Sequence, residues 1–294
     1  MLSRRQFGTL AGLSLFGCAL FAGRGPAAGA NTALASALAR IEGEGGGRLG
    51  VAILETGTGA LIGQRTDERF PLCSTFKLLA AAAVLSRVDQ GQEDLARRIR
   101  FDTSDLVIYS PITKDRAGGE GMTLAELCAA ALQYSDNTAG NLLLAALGGP
   151  QGVTAYARAL GDTVTRLDRT EPTLNEAQPG DPRDTTSPAA MAENMRKLLL
   201  GSALSEGARA RLAAWLVGNK TGDRRLRAGL PKGWRIGDKT GTGDRGTTND
   251  VAIAWPPDRP ALVIAAYLTE SSAPAERRDA ALAAVGQAVA AAMG

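Results

Sequence analysis

The chain has 294 residues, of which 45% are hydrophobic, 21% charged and 4% aromatic, proportions that are typical of a globular protein. It contains no histidine, which excludes Ser-His-Asp and Cys-His catalysis and every zinc site with a histidine ligand. Proton transfers must then use carboxylates, lysine, tyrosine or hydroxyl groups. The net charge of +3 comes from arginines within residues 1–30, and the remaining 30 basic and 30 acidic residues argue against a nucleic-acid-binding surface.

The first 30 residues have the pattern of an export signal. Arg4 and Arg5 precede an apolar run over about 8–22, and residues 28–30 form a small-residue cleavage site. The arginine pair is a twin-arginine pattern, which predicts export in the folded state, to the periplasm or the medium. Cleavage after residue 30 is the favoured interpretation, and acylation of Cys18 in a lipoprotein-like box is the alternative. The apolar run is too short to predict a membrane span.

The segment that follows begins with a helix and a hairpin. Residues 32–42 are rich in alanine and predict a helix. Apolar runs at 49–54 and 60–64, separated by a turn rich in glycine and threonine, predict a β-hairpin. Helical patterns then prevail from about Cys73 to Trp215. The helices predicted there are 76–85, 123–132 with a Thr123–Glu126 capping box, 137–147, 150–160 and 188–200.

The end of the chain returns to strands, predicted at 235–242, 247–255 and 261–269, and closes with an alanine-rich helix after Pro274. Strands at both ends most simply share one sheet. We therefore predict an α+β fold, an α/β sandwich with an antiparallel sheet of about five strands, flanked by terminal helices and interrupted by an inserted all-α domain. The expected domains are 31–66 with 217–294, and 67–216 including a loop at about 168–186, with the active site between them.

Ser74-Thr75-Phe76-Lys77 places a hydroxyl and an amine one helical turn apart on the same face. A desolvated lysine can lose its proton and help to activate a serine nucleophile. A serine near a helix start also lies where the helix dipole favours developing negative charge. The alternative is that Ser74 is an ordinary N-cap.

Two tripeptides have similar dual interpretations. In Ser135-Asp136-Asn137 the residues could cap a helix, or Ser135 could move a proton while Asn137 holds a substrate carbonyl. Lys239-Thr240-Gly241 could be a plain strand end, or a cation and a hydroxyl beside a substrate carboxylate, with the glycine admitting ligand backbone.

An irregular stretch begins at Glu171-Pro172-Thr173-Leu174-Asn175 and contains further prolines up to Pro188. Such composition usually marks a surface connector. The functional interpretation is an Ω-type loop that carries a buried carboxylate to the active site. In a chain without histidine, this carboxylate is the obvious general base.

Together and in this order, Ser-x-x-Lys, Ser-Asp-Asn, the Glu171 loop and Lys-Thr-Gly make the sequence resemble the class A serine β-lactamases. The resemblance extends from about Leu49 to Thr269. It includes Tyr109-Ser110-Pro111, the end of the loop at 181–186, and Thr248-Asn249-Asp250 in a late strand.

The resemblance implies a mechanism. Ser74 would attack the β-lactam carbonyl and form an acyl-enzyme, with Lys77 in the proton network. Glu171 and Asn175 would hold the water that hydrolyses the ester, and Ser135 would pass a proton to the departing ring nitrogen. Whether Lys77 or Glu171 first takes the serine proton stays open. No metal and no cofactor is expected.

The resemblance also implies how substrate is held. The oxyanion hole would be formed by the backbone N–H groups of Ser74 and Thr242. The loop would be clamped by an Arg169–Asp184 ion pair, and the Glu171–Pro172 bond would be cis. The implied substrate-binding residues are Tyr109, Asn137, Asn175, Arg225, Lys239, Thr240, Gly241 and Thr242.

The sequence departs from parts of the family at its cysteines. Many members carry a disulfide from the position of Cys128, but its partner position is Ala81 here. A carbapenem-hydrolysing subset bridges the cysteine before the serine, here Cys73, to a position that is Gly243. We expect both cysteines to be unpaired. The loop motif and Thr242 resemble broad-spectrum cephalosporin hydrolysers.

Two other functions share part of this pattern. A D-Ala-D-Ala peptidase or transpeptidase shares Ser-x-x-Lys and Lys-Thr-Gly but usually lacks the Glu171–Asn175 feature. A β-lactam-sensing domain stays acylated and is normally tied to transmembrane helices. We expect a hydrolase of small-molecule β-lactams that acts as a monomer, with no nucleic-acid partner and no stable membrane span after processing.

If the twin-arginine route is used, replacing Arg4 and Arg5 together by lysine will leave precursor in the cytoplasm, because that route reads the arginine pair and not charge alone. Cell fractionation followed by immunoblotting measures this, and normal export of the double variant would refute the route. Mass spectrometry of the exported protein separates cleavage, which leaves an amino terminus at Asn31, from a diacylated Cys18.

Overall fold

A computed structural model describes residues 28–293, so Arg4, Arg5 and Cys18 of the predicted leader lie outside the described residues. Its helices are α1 (Ala28–Gly45), α2 (Phe76–Asp89), α3 (Leu124–Gln133), α4 (Asn137–Leu147), α5 (Pro150–Ala159), α6 (Pro188–Leu199), α7 (Glu206–Val217), α8 (Leu226–Gly229) and α9 (Ala275–Met293). Its strands are β1 (Arg48–Glu55), β2 (Leu61–Gln64), β3 (Phe70–Pro71), β4 (Arg98–Ile99), β5 (Met122–Thr123), β6 (Thr185–Thr186), β7 (Arg235–Thr242), β8 (Thr248–Trp255) and β9 (Leu262–Thr269).

The central sheet has five antiparallel strands in the order β2-β1-β9-β8-β7. Strand β1 pairs with β9 over its whole length, from Arg48 opposite Thr269 to Glu55 opposite Leu262. The prediction of one antiparallel sheet built from both ends of the chain is confirmed. The β1–β2 hairpin and the three late strands lie within one residue of their predicted bounds.

The predicted helices are found and differ only at some ends, but helix α7 was not among them. Helix α1 begins at Ala28, four residues before the predicted start. Helix α3 begins with the expected capping box, in which the Thr123 hydroxyl accepts from the N–H of Glu126. The single turn α8 was not predicted, because four residues are too few to show a helical period.

Two apolar layers enclose the sheet. Along β8, Val251 and Ile253 point to one layer and Ala252 and Ala254 to the other, as the two-residue period of a strand requires. Terminal helices α1 and α9, with α8, cover one face. The helices between β2 and β7 cover the other face, and there the core continues from the sheet into the helical segment.

The predicted domain bounds remain a prediction. The expected boundary at 216/217 falls inside helix α7, which ends at Val217. The arrangement nevertheless places the helical segment against β7, the strand that contains Lys239-Thr240-Gly241. No helix within residues 28–293 is both long and apolar enough to cross a membrane.

Leu38 in α1 is fully buried against the sheet. Leu38→Ala is expected to lower the free energy of unfolding by about 2–5 kcal/mol, because it removes apolar contacts and leaves a cavity. Leu200→Ala is the matched control, since that side chain is 41% exposed, and a loss of only about 0.5 kcal/mol is expected. Urea titration followed by circular dichroism compares them; equal losses would contradict the packing of α1.

Candidate active site

A cleft of about 620 Å³ lies between the helical segment and strand β7. Its walls come from the segments that carry all four motifs. The lining residues are Ser74, Tyr109, Ser135, Asn137, Asn175, Lys220, Thr221, Asp223, Arg224, Arg225, Thr240, Gly241 and Thr242. Of the residues predicted from sequence, Lys77, Glu171 and Lys239 lie behind this lining and are buried.

Ser74 lies in a 3₁₀ turn, Cys73–Thr75, which leads directly into α2. The N-cap position of α2 is Thr75, so Ser74 is not the helix cap that one interpretation suggested. The Ser74 hydroxyl accepts a hydrogen bond from Lys77 Nζ at 2.9 Å and donates to Glu171 Oε1 at 3.2 Å. It therefore lies between a cation and a carboxylate.

Lys77 is completely buried and its ammonium group has four partners. Besides Ser74 it donates to the backbone oxygen of Ser135 at 2.8 Å and to Asn137 Oδ1 at 2.6 Å. Glu171 Oε1 lies 3.0 Å from Lys77 Nζ. Burial lowers the pKa of Lys77 from its ordinary value, while the charge of Glu171 opposes that shift.

Glu171 reaches the site from a loop that is itself held by side chains. Its Oε2 accepts from Asn175 Nδ2 at 2.5 Å. Asn141 on α4 clamps its backbone twice, donating to Glu171 O and accepting from Glu171 N, each at 2.9 Å. Sequence reasoning missed Asn141, although its position four residues after Asn137 puts both on one helix face. The Glu171–Pro172 bond is cis.

Arg169 and Asp184 join the two ends of the loop. Arg169 Nε lies 2.6 Å from Asp184 Oδ2, and Arg169 also pairs with Glu176. Asp184 is buried, and its Oδ1 accepts from the backbone N–H groups of Asp168 and Arg169 at 2.7 and 2.9 Å. The Asp184 carboxylate thus binds both the guanidinium of Arg169 and the backbone N–H groups at the opposite end of the loop.

Both interpretations of Ser135-Asp136-Asn137 apply, to different residues. Asp136 caps α4, since its Oδ1 accepts from Ala139 N at 2.8 Å. Ser135 has φ of 58°, a left-handed conformation, and its hydroxyl accepts from Lys239 Nζ at 3.0 Å. Asn137 lines the cleft, while its Nδ2 donates to the backbone oxygen of Ile108.

Lys239 is the second buried lysine of the site. It donates to Ser135 Oγ at 3.0 Å and to Thr240 O at 2.7 Å. Burial lowers its pKa well below the ordinary value, and the nearby charge of Lys77 adds to the effect. Lys239 therefore links strand β7 to the loop that carries Ser135.

Arg225 brings a cation to the outer end of strand β7. Its Nη1 donates to the backbone oxygens of Gly241 and Asn249, and its Nη2 to Thr242 Oγ1, each at 2.8 Å. Asp279 on α9, which sequence reasoning missed, pairs with Arg225 Nε at 2.8 Å. No local pattern in α9 distinguishes this acid from the other charged residues of the helix.

Tyr109 forms an exposed wall of the cleft, with 56% of its surface accessible. Its φ of 64° is left-handed, and its backbone oxygen accepts from Asn137 N at 3.0 Å. Together with Cys73 and Ser135, it is one of three non-glycine residues with positive φ beside the cleft. Such strain persists only where surrounding contacts hold it.

Cys73 and Cys128 are free and buried, as expected from the two missing partner cysteines. Burial raises the pKa of both thiols, so neither is a ready nucleophile. A Cβ placed on Gly243 would lie 2.6 Å from Cys73 Sγ, which accounts for a small residue there.

A hydroxyl between a buried amine and a buried carboxylate, at the wall of an open cleft, can attack an acyl carbon and later be freed by water. The fold and the site thus define a serine hydrolase that works without histidine. The family is shown by comparison: residues 33–293 match the model of the beta-lactamase enzyme family, and the chain belongs to it.

Relatives that are named beta-lactamases support this family membership. The chain is 55% identical over 252 residues to beta-lactamase CTX-M-8 of Citrobacter amalonaticus and 56% identical over 252 residues to beta-lactamase Toho-1 of Escherichia coli. Each alignment covers 86% of this chain and 86% of the relative.

Solved structures identify the class. An ancestral class A beta-lactamase is 63% identical with a TM-score of 0.87, covering 88% of this chain and 100% of that one. The class A enzyme of the last common ancestor of Gram-negative bacteria is 62% identical with a TM-score of 0.88, covering 89% and 100%. The chain is a class A β-lactamase by family.

If the Arg169–Asp184 pair holds the loop, Asp184→Asn will lower the free energy of unfolding by about 3 kcal/mol, because one charge of a buried pair loses its partner. Residues 168–186 should become more sensitive to proteolysis, and penicillin turnover should fall.

The matched control is Asp181→Asn, which breaks an exposed pair with Arg183 in the same loop and should cost no more than about 1 kcal/mol. Limited proteolysis and turnover assays compare the two variants. Parental behaviour of Asp184→Asn in both assays would show that the pair does not hold the loop.

Proposed function

We propose that this chain hydrolyses β-lactam antibiotics through an acyl-enzyme on Ser74 and releases the ring-opened β-amino acid. The observation that carries the proposal is the position of the Ser74 hydroxyl, 2.9 Å from Lys77 Nζ and 3.2 Å from Glu171 Oε1. The membership of the β-lactamase family and the names of the relatives support the substrate class.

In the acylation step, Ser74 Oγ attacks the lactam carbonyl and its proton passes to Lys77 or to Glu171. Both groups lie within hydrogen-bond distance of Oγ, so either can accept it. Because burial lowers the pKa of Lys77, its amine loses a proton more readily than that of an exposed lysine. The developing oxyanion is stabilised by the backbone N–H groups of Ser74 and Thr242.

Opening of the ring requires a proton on the departing nitrogen. Ser135 is suited to deliver it, because its hydroxyl lines the cleft and is bonded to Lys239. The hydroxyl proton that Ser135 gives to the nitrogen can be replaced from Lys239 Nζ, which donates to Ser135 Oγ at 3.0 Å. The proton taken from Ser74 stays on Lys77 or Glu171, so protons balance over the step.

The substrate carboxylate is assigned to the end of strand β7. Lys239, Thr240 and Thr242 provide a cation and two hydroxyls, and Arg225 adds a second cation beside Thr242. The missing side chain of Gly241 faces the Ser74 turn and not open cleft, since a Cβ there would lie 3.0 Å from Leu72 O, so the glycine lets strand β7 approach that turn and the expected space for ligand backbone is not found at this position. Tyr109 forms the opposite wall, and Asn137 with Asn175 provides amides toward the substrate side chain and the attacking water.

Deacylation distinguishes a hydrolase from a transpeptidase or a sensor. Glu171 is buried, with one oxygen toward Ser74 and the other bound by Asn175. Such a carboxylate can hold and deprotonate a water on the open face of the ester. The Arg169–Asp184 pair and Asn141 keep the loop in place for this step.

We further propose that the protein works as a monomer outside the cytoplasm, in the periplasm or secreted. The leader pattern in residues 1–30 supports export. We also propose that the chain divides into two domains at 66/67 and 216/217.

Glu171→Ala is expected to accept the acyl group from a penicillin but to release product about 10²–10⁴-fold more slowly, because the general base of deacylation is missing. Intact-mass spectrometry should show a long-lived adduct on Ser74, and Ser74→Ala should show none. Glu176→Ala, in the same loop but exposed, is the matched control and should turn over like the parent.

Two outcomes would contradict the assignment. A permanent adduct on the parent protein would make it a transpeptidase or a sensor. Parental turnover by Glu171→Ala would make the loop carboxylate structural and place the base elsewhere.

A further inference from the structure

The proposed oxyanion hole, and with it this inference, rests on the proposed function. Its two N–H groups belong to Ser74, in the turn before α2, and to Thr242, at the end of β7. These positions are far apart in the sequence, so nothing local sets the distance between them. A change of about 1 Å in such a distance can cost about 10²-fold in rate.

Asn249 on β8 contacts both parts. Its side chain is fully buried, and Nδ2 donates to the backbone oxygens of Pro71 at 2.9 Å and Leu72 at 3.2 Å, immediately before the Ser74 turn. Its backbone is paired with Gly241 across the β7–β8 ladder. One residue thus joins the nucleophile's segment to the strand that ends at Thr242.

The contact with β7 is close. A Cβ on Gly241 would lie 3.0 Å from Leu72 O and 3.2 Å from Asn249 Nδ2, so the space of the missing side chain is occupied by the protein's own backbone and amide. The same Leu72 oxygen accepts from Thr75 Oγ1 at 2.7 Å. Leu72 O is therefore the point where the turn, β7 and β8 meet.

The turn needs such support. Cys73, the residue between Leu72 and Ser74, has φ of 44°, a conformation that residues with a side chain rarely adopt. Strained backbone of this kind persists only where neighbouring contacts over-determine it. The two bonds from Asn249 fix the chain on the amino-terminal side of Cys73, and helix α2 fixes it on the other.

The choice of asparagine at this position is itself informative. The next residues on the same face of β8, Val251 and Ile253, are apolar and buried. Asn249 Oδ1 is buried without a hydrogen-bond partner among the described residues, which carries a cost that an apolar side chain would avoid. The contribution of the amide at this position therefore lies in the two bonds that Nδ2 donates to Pro71 O and Leu72 O.

We propose that Asn249 is a positioning residue for the oxyanion hole, and that its amide sets the distance between the Ser74 turn and strand β7. It touches neither substrate nor the reacting atoms. Through its backbone oxygen, which accepts from Arg225 Nη1 at 2.8 Å, it also ties the proposed carboxylate-binding arginine to the same frame.

The test compares Asn249→Ala and Asn249→Ser with the control Asn194→Ala. Asn194 is a matched control because it is also a buried asparagine with its Nδ2 engaged and its Oδ1 unpartnered within the described residues, but it bonds Asp162, away from the cleft. The first readout is the rate of acylation by a chromogenic cephalosporin. The second is the affinity for an aryl boronic acid without a carboxylate, whose tetrahedral adduct occupies the oxyanion hole.

For Asn249→Ala, acylation is expected to slow by about 10- to 100-fold and boronic acid binding to weaken by a similar factor. Asn249→Ser, which keeps a shorter donor, should fall between this variant and the parent. Asn194→Ala should lose stability but stay within about twofold of the parent in both readouts once the folded fraction is accounted for.

The inference is overturned if folded Asn249→Ala stays within about twofold of the parent, or if Asn194→Ala loses as much. Should Asn249→Ala fail to fold, Asn249→Ser decides by the same comparison. If neither folds, the amide is a folding determinant and the separate positioning role is rejected. Absence of turnover by the parent would instead refute the proposed function, so the two failures are distinguishable.

Discussion

The buried contact of Lys77 with Glu171, with the Ser74 hydroxyl between them, is the interaction on which the rest of the site depends. Nζ and Oε1 lie 3.0 Å apart with both side chains removed from water. Removing an ion from water costs several kcal/mol, so the pair is tolerable only where other groups complete its hydrogen bonds. Asn137 does so for the lysine and Asn175 for the carboxylate. The buried ion pair that activates the serine therefore also costs folding free energy, which other contacts must offset.

That demand explains why so much of the structure serves to hold a loop. An irregular segment has no helix or strand ladder to position a carboxylate, and side chains must replace it. Asn141 bonds the backbone of Glu171 on both sides, and Asp184 binds the opposite loop end. On the other side of the cleft, β7 is held against the Ser74 turn through Asn249. The positions of the catalytic groups are therefore set by contacts between secondary-structure elements.

Much of the fold could be predicted, and for simple reasons. The continuous apolar runs of β8 and β9 and the long apolar pattern of α2 are local signals, and the strands of the central sheet lie within one residue of their predicted bounds. Helix α7 and the single turn α8 were not predicted. At Ser135-Asp136-Asn137, local reasoning offered a cap or a catalytic group as alternatives. The structure uses Asp136 for the first, while Ser135 and Asn137 line the cleft.

The sequence by itself determined the chemistry that is available. It excluded histidine, and it placed Ser74 and Lys77 three residues apart, so that one helical turn brings them together. The motif order also predicted Glu171 as the carboxylate of the site. Only the tertiary structure decided its contact with Ser74, since the two residues are 97 positions apart and the loop has no helix or strand period that would place the carboxylate. The tertiary structure alone also showed what Asn249 and Asp279 contact, namely the segment before Ser74 and the side chain of Arg225. Their importance lies in what they contact across the fold, and no spacing along the chain encodes such a contact.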